Sequence, residues 1–86
     1  MAETPENRLK RMKMRAWHRG MKEMDIILGN FADASLNVMS GEELDDLDAL
    51  MEENDQDLYQ WVTGQVPTPA QFVTLVERIA QHAGAR

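Results

Sequence analysis

Few side chains in this sequence stand in a pattern that makes or breaks bonds. The two histidines, His18 and His82, are far apart in the chain, and neither has a metal-ligand spacing such as His-Glu-x-x-His. There is no cysteine, so there is no thiolate nucleophile, zinc ribbon or disulfide. Asp45, Asp46 and Asp48 lack the glycine and closing glutamate of a calcium loop, as do Asp55 and Asp57, so a solvated helix face is the expectation for both. Ser35 and Ser40 have no neighbouring base, and the five glycines (20, 29, 41, 64 and 84) are scattered rather than gathered into a phosphate loop. An acid–base pair of His18 with Glu23 or Asp25 would need a cleft that so short a chain hardly encloses. What remains is Trp17-His18-Arg19-Gly20-Met21-Lys22-Glu23-Met24-Asp25. Arg19 is a fork of donors, Gly20 a bare stretch of backbone and Glu23 an acceptor. That is recognition chemistry, suited to docking on another protein. Arg19 and Glu23 are four apart and would share a face of a continuous helix. Gly20 would serve either as a plain helix stop or as a point of close approach.

The elements that must carry this cluster are read from the rest of the chain. Eighty-six residues with 43% hydrophobic and 28% charged side chains fit one folded domain with a thin core. The domain is expected to span 1–86, with 1–6 and 83–86 frayed. Without staples, a reducing cytoplasm is the expected compartment. The acidic start is no signal peptide, and no apolar run approaches the ~20 residues needed to cross a bilayer.

Hydrophobic spacing predicts helices and no strands. A basic segment near 6–18 carries Leu9, Met12, Met14, Ala16 and Trp17. Met21, Met24, Ile27, Leu28 and Phe31 then define one helical face. Ser40 and Glu43 form a capping box, with Met39 and Leu44 as its hydrophobic staple, ahead of Leu47, Leu50 and Met51. Asn54 or Asp55 caps a short helix bearing Leu58, Trp61 and Val62, and Gly64 ends it. Thr68 as cap, Pro69 as first residue and Gln71 as box partner open a last helix with Phe72, Leu75, Val76, Ile79 and Ala80 inward. The expected fold is all-α: a small single-domain bundle of about five short helices. Trp61 belongs in its core, Tyr59 at the core edge, and Trp17 either in the core or at an interface. The seven methionines read as core filler, with Met12, Met14 and Met21 also able to form an adaptable contact surface.

Charge is divided unevenly. Residues 1–24 hold seven bases against three acids, and residues 25–86 hold two bases against twelve acids, within a net charge of −6. The basic end suggests either a charged partner or a solvated helix face. Nucleic acid is the obvious candidate, but the acidic remainder would repel a polyanion and no basic recognition helix follows.

Arg19-Gly20-Met21-Lys22-Glu23 resembles the RGxxE motif of the succinate dehydrogenase flavinylation (assembly) factors. Around it the resemblance extends through basic Arg8 to Arg15, Met24 to Ala32, Leu50-Met51-Glu52-Glu53, Asp55-Gln56-Asp57-Leu58-Tyr59-Gln60-Trp61 and Gly64, covering roughly residues 8–80. With no targeting extension, the chain looks like a bacterial member. The resemblance implies a non-catalytic assembly chaperone. It would bind the flavoprotein subunit of succinate dehydrogenase, and often that of fumarate reductase, and promote covalent attachment of FAD to a histidine there. No cofactor would be bound tightly, because FAD belongs to the partner; no metal, nucleic acid or membrane insertion is implied. By position, Arg19, Gly20 and Glu23 would be the main partner-binding residues, flanked by His18, Lys22 and Asp25. The alternative is a general helical protein- or nucleic-acid-interaction module.

Overall fold

Helix formation begins where a donor is capped. In a computed structural model that describes residues 2–86, the Thr4 hydroxyl accepts the Asn7 N–H at 3.1 Å and Pro5 takes the first turn, starting α1 (Pro5–Trp17). Residues 5 and 6 are therefore helical rather than frayed, and Glu3 is tied to Arg11 at 2.8 Å; Met1 lies outside the described residues. The chain turns at 18–21 into α2 (Lys22–Ser35), which lies antiparallel to α1 and packs on it more extensively than any other pair of elements. A 3-10 turn at Leu36–Val38 leads to α3 (Gly41–Leu50). There the anticipated capping box forms, Ser40 and Glu43 each satisfying the other's backbone N–H at 3.2 and 2.8 Å. Met39 is buried and Leu44 half-buried against the same core, as the staple requires. Asn54 caps α4 (Asp55–Val62), with its side chain accepting the Gln56 N–H at 2.8 Å, and Asp55 is the first helical residue.

The last helix starts later than the sequence suggests. Val66 to Pro69 carries no helix, Ala70–Phe72 forms a 3-10 turn, and α5 runs Val73–His82 without the Thr68–Gln71 box. The tighter turn sets Phe72 down on Trp61, ring centroids 6.2 Å apart, and burial of both rings outweighs the cap. The C-terminal residues 83–86 are also held: Ala85 N–H bonds the Ala80 carbonyl at 2.8 Å, and the Arg86 guanidinium donates to the Trp61 carbonyl at 2.6 Å.

Among the described residues there are five α-helices and no strand, as the periodicity demanded. Met12, Met24, Leu47, Leu50, Leu58, Val76 and Ile79 are sealed in one core drawn from all five. Trp61 is buried and Tyr59 sits at the core edge, as read from the sequence. Of the three methionines near the motif, Met12 is core, Met21 is half-buried, and only Met14 is open to solvent, at 64% exposure.

Two contacts fix where the 18–21 turn sits. Trp17, at the end of α1, lies flat on Gly29 of α2; a Cβ on that glycine would stand 2.3 Å from the indole ring. The indole N–H reaches Asp33 at 3.3 Å. The second contact is ionic. Arg8 pairs with Asp45 at 2.6 Å, Arg11 with Asp48 at 2.8 Å and Arg15 with Glu52 at 3.1 Å. Partner numbers rise together, so α1 and α3 run parallel, joined by side chains along one face. The basic stretch is thus paired within the chain, which answers the expectation of an outside charged partner for these arginines.

Candidate functional site

The sequence cluster 18–25 is brought together at one corner, but not as a helix. α1 ends at Trp17 and α2 begins at Lys22, so Arg19 and Glu23 do not share a continuous helical face. Gly20 is not the helix stop either: the C-cap of α1 is His18, and the φ of Gly20 lies outside the left-handed region. Its φ is of the sign that residues with side chains adopt. An added Cβ would meet only Asp55 Oδ2, at 3.4 Å, an ordinary contact.

Arg19 is placed differently from expectation. Its side chain is 9% exposed and faces inward, with Nε donating to Asp55 Oδ1 at 2.8 Å and a terminal nitrogen donating to the Glu53 carbonyl at 3.2 Å. Its own backbone N–H donates to the Asp25 carboxylate in the first turn of α2. Asp55 Oδ2 accepts the Gly20 N–H at 2.8 Å. One carboxylate at the start of α4 therefore holds two consecutive residues of the turn. Asp25 likewise faces into the protein, half-buried.

The other four residues form the outer surface. Gly20, Lys22 and Glu23 are exposed, and Glu23 makes no ion pair or side-chain hydrogen bond among the described residues. His18 is exposed, with Nδ1 2.8 Å from the Met14 carbonyl; a carbonyl only accepts, so Nδ1 carries the hydrogen. The corner thus presents bare backbone, one cation and one anion over a polar clamp. The sequence reading gives Asp55 as a cap, as part of an acidic pair and as the start of the Asp55-to-Trp61 block of the resemblance, not as a partner of Arg19 and Gly20. Its signal was there in the spacing: Arg8, Arg11, Arg15 and Arg19 repeat at helical intervals, as do Asp45, Asp48, Glu52 and Asp55.

Electrostatics along the ladder follow from these contacts. The Arg11 hydrogen bond holds the Asp48 carboxyl below the usual carboxylate range, despite partial burial that works the other way. Glu43 is lowered by the Ser40 backbone N–H and by Arg78. No cluster of His, Asp and Glu among the described residues could hold a metal ion. A concavity of about 460 Å³ lies open between α2 and the end of α5, lined by Ile26, Asn30, Asp33 and His82 among others. No described helix is long and apolar enough to cross a membrane.

The corner at 18–25 offers exposed backbone, a cation and an anion over an internal clamp, groups suited to docking on another protein. Sequence comparison supplies the family. A family model described as the flavinator of succinate dehydrogenase matches residues 10–83, and the chain belongs to that family. The FAD assembly factor SdhE of Acetobacter pasteurianus is 36% identical over 80 residues, spanning 92% of this chain and 73% of that protein. The mitochondrial succinate dehydrogenase assembly factor 2 of Dictyostelium discoideum is 30% identical over 73 residues, and that of Drosophila grimshawi 37% over 78. The chain spans 52% and 53% of the length of those two. These relatives are named as assembly factors rather than enzymes, in agreement with the non-catalytic role expected from the sequence.

Proposed function

We propose that this chain is an assembly chaperone that binds the flavoprotein subunit of succinate dehydrogenase and promotes covalent attachment of FAD, working in the cytoplasm. The observation that carries this reading is the match to flavinators of succinate dehydrogenase across residues 10–83. The corner at 18–25 supports it physically, because it offers docking groups and no nucleophile. On this reading the client supplies both histidine and flavin, and FAD stays with the client throughout. The chaperone favours the client conformation in which histidine meets the flavin, through higher affinity for that state. The flavoprotein of fumarate reductase, similar in chemistry, is included as a second client. A nucleic-acid module is less well supported, since Arg8, Arg11, Arg15 and Arg19 are all occupied by internal acids.

The test is loss and rescue. Deleting the gene should remove covalent flavin fluorescence from the subunit on a denaturing gel; unchanged fluorescence would sink the proposal. The Gly20→Arg variant should fail to restore it while keeping helical circular dichroism, because a long side chain would cover the exposed backbone at the corner.

A further inference from the structure

We infer that Arg19, Asp25 and Asp55 are positioning residues, which shape the 18–23 turn so that the Gly20 backbone and the Glu23 carboxylate, rather than the Arg19 guanidinium, meet the flavoprotein subunit. This rests on the docking role proposed above and divides the labour within it.

Two helices and the turn ahead of one of them converge on Arg19. Its backbone is bonded to Asp25 of α2, its side chain to Asp55 of α4 and to the Glu53 carbonyl just ahead of α4. For the guanidinium to extend toward a partner, both side-chain bonds must break and the Asp55 carboxylate must be left without its cation. Arg19 and Asp55 are 9% and 18% exposed, whereas Asp45 and Glu52, on the same ladder, are 70% exposed. A largely desolvated ion pair adds little net stability, since attraction is offset by lost hydration, but it strongly disfavours other arrangements of its own atoms. Here those atoms include the Gly20 N–H, bonded to the second carboxylate oxygen. A turn already held in its docking shape loses less entropy on binding. Glu23 and Lys22, exposed and unpaired among the described residues, are left as the charged groups able to form new bonds, and Glu23 is the acceptor of the two.

The experiment uses the full chain and the apo flavoprotein subunit. Asp55→Asn keeps the shape but replaces one acceptor oxygen by a donor NH2, so either Arg19 or Gly20 loses its partner. Asn54 still caps α4, so the fold should survive. Calorimetric affinity, measured well below the melting temperature of every variant, should fall about tenfold or more. The Gly20 amide proton should shift upfield in either orientation of the new amide, because its acceptor is no longer a charged carboxylate oxygen. Arg19→Lys keeps the charge but not the forked reach, and should weaken binding as much as Asp55→Asn. The double variant should be scarcely weaker than either single one, because both break the same clamp. Full affinity in Asp55→Asn despite a shifted Gly20 amide would overturn the positioning role. So would an Arg19→Lys variant that binds like wild type while Asp55→Asn does not. If the wild-type chain fails to bind the subunit, the functional reading falls and this inference falls with it.

Discussion

Gly20 and Gly29 stand on the same α1–α2 hairpin and do opposite things. Gly29 is buried inside α2 with the Trp17 ring against it, so that a single added carbon has nowhere to go. Gly20 is exposed, has an ordinary φ, and leaves a Cβ in normal contact with Asp55. One glycine is demanded by packing. The other is tolerated by packing and calls for an explanation outside the chain. The difference separates a residue that makes the fold from one that the fold does not need and that the proposed docking role would use.

The sharpest way to break this comparison is Gly29→Ala. Alanine is favoured over glycine within a helix by about 1 kcal/mol, so a site with room would gain stability. Here the ring must swing out or the helices must separate, and overpacking of this kind costs about 1–3 kcal/mol or more. We expect a net loss of about 2 kcal/mol, seen as a fall of roughly 10 °C in thermal melting of a domain this size. In a Trp17→Ala background the same Gly29→Ala change should become neutral or stabilising. A wild-type background that tolerates Gly29→Ala would show that the hairpin is not held by this contact.

A smaller effect is expected on the arginine ladder, the hairpin's tie to α3. Asp48 accepts two hydrogen bonds from Arg11, at 2.9 and 2.8 Å, and lies within 4 Å of Arg8 and Arg15 nitrogens. Asp48→Asn should cost about 1–2 kcal/mol, less than an ideal buried pair because these groups are partly solvated. Its carboxyl is held below the ordinary range in the folded state. The contribution of Asp48 is therefore complete above the unfolded value of about 3.9 and is lost as pH falls through the lower folded value. Melting followed from pH 7 downward should show wild type losing stability in strong acid, with a shallower fall in Asp48→Asn. Glu43, lowered by Ser40 and Arg78, contributes in the same direction.

The helices, the capping box at Ser40 and the core face of α2 were legible because each is a local pattern of period or spacing. The all-α bundle and the position of Trp61 followed from them. The start of α5 was not legible, because the pairing of Phe72 with Trp61 overrides the local preference of Thr68 and Pro69 for a helix start. The site was half legible. The six motif residues were grouped by the sequence as a candidate docking cluster, yet the inward turn of Arg19 depends on Asp55, which is distant in sequence and stands at the start of α4, packed against α2. The charge split pointed outward when read as totals. Read as two series at matching helical intervals, it points inward. Gly29 passed as one scattered glycine, although an isolated glycine within an apolar helical pattern is itself a sign of close packing.

The smallest expected effect on stability is at Gly20, and it decides the comparison. Gly20→Ala restricts the unfolded chain, which favours folding by about 0.4–1 kcal/mol where the native φ suits alanine. The ordinary φ here meets that condition, and the 3.4 Å approach to Asp55 Oδ2 takes back part of the gain. Melting should therefore stay within about 0.5 kcal/mol of wild type. Affinity for the flavoprotein subunit should nonetheless fall from glycine to alanine to arginine, as side chain progressively covers the backbone that the partner approaches. Stability flat across Gly20→Ala with affinity falling is the signature of a glycine kept for a partner. A melting loss as large as that of Gly29→Ala, with affinity unchanged at temperatures where the chain is folded, would place Gly20 beside Gly29 as a packing residue and leave Glu23 to carry the docking surface alone.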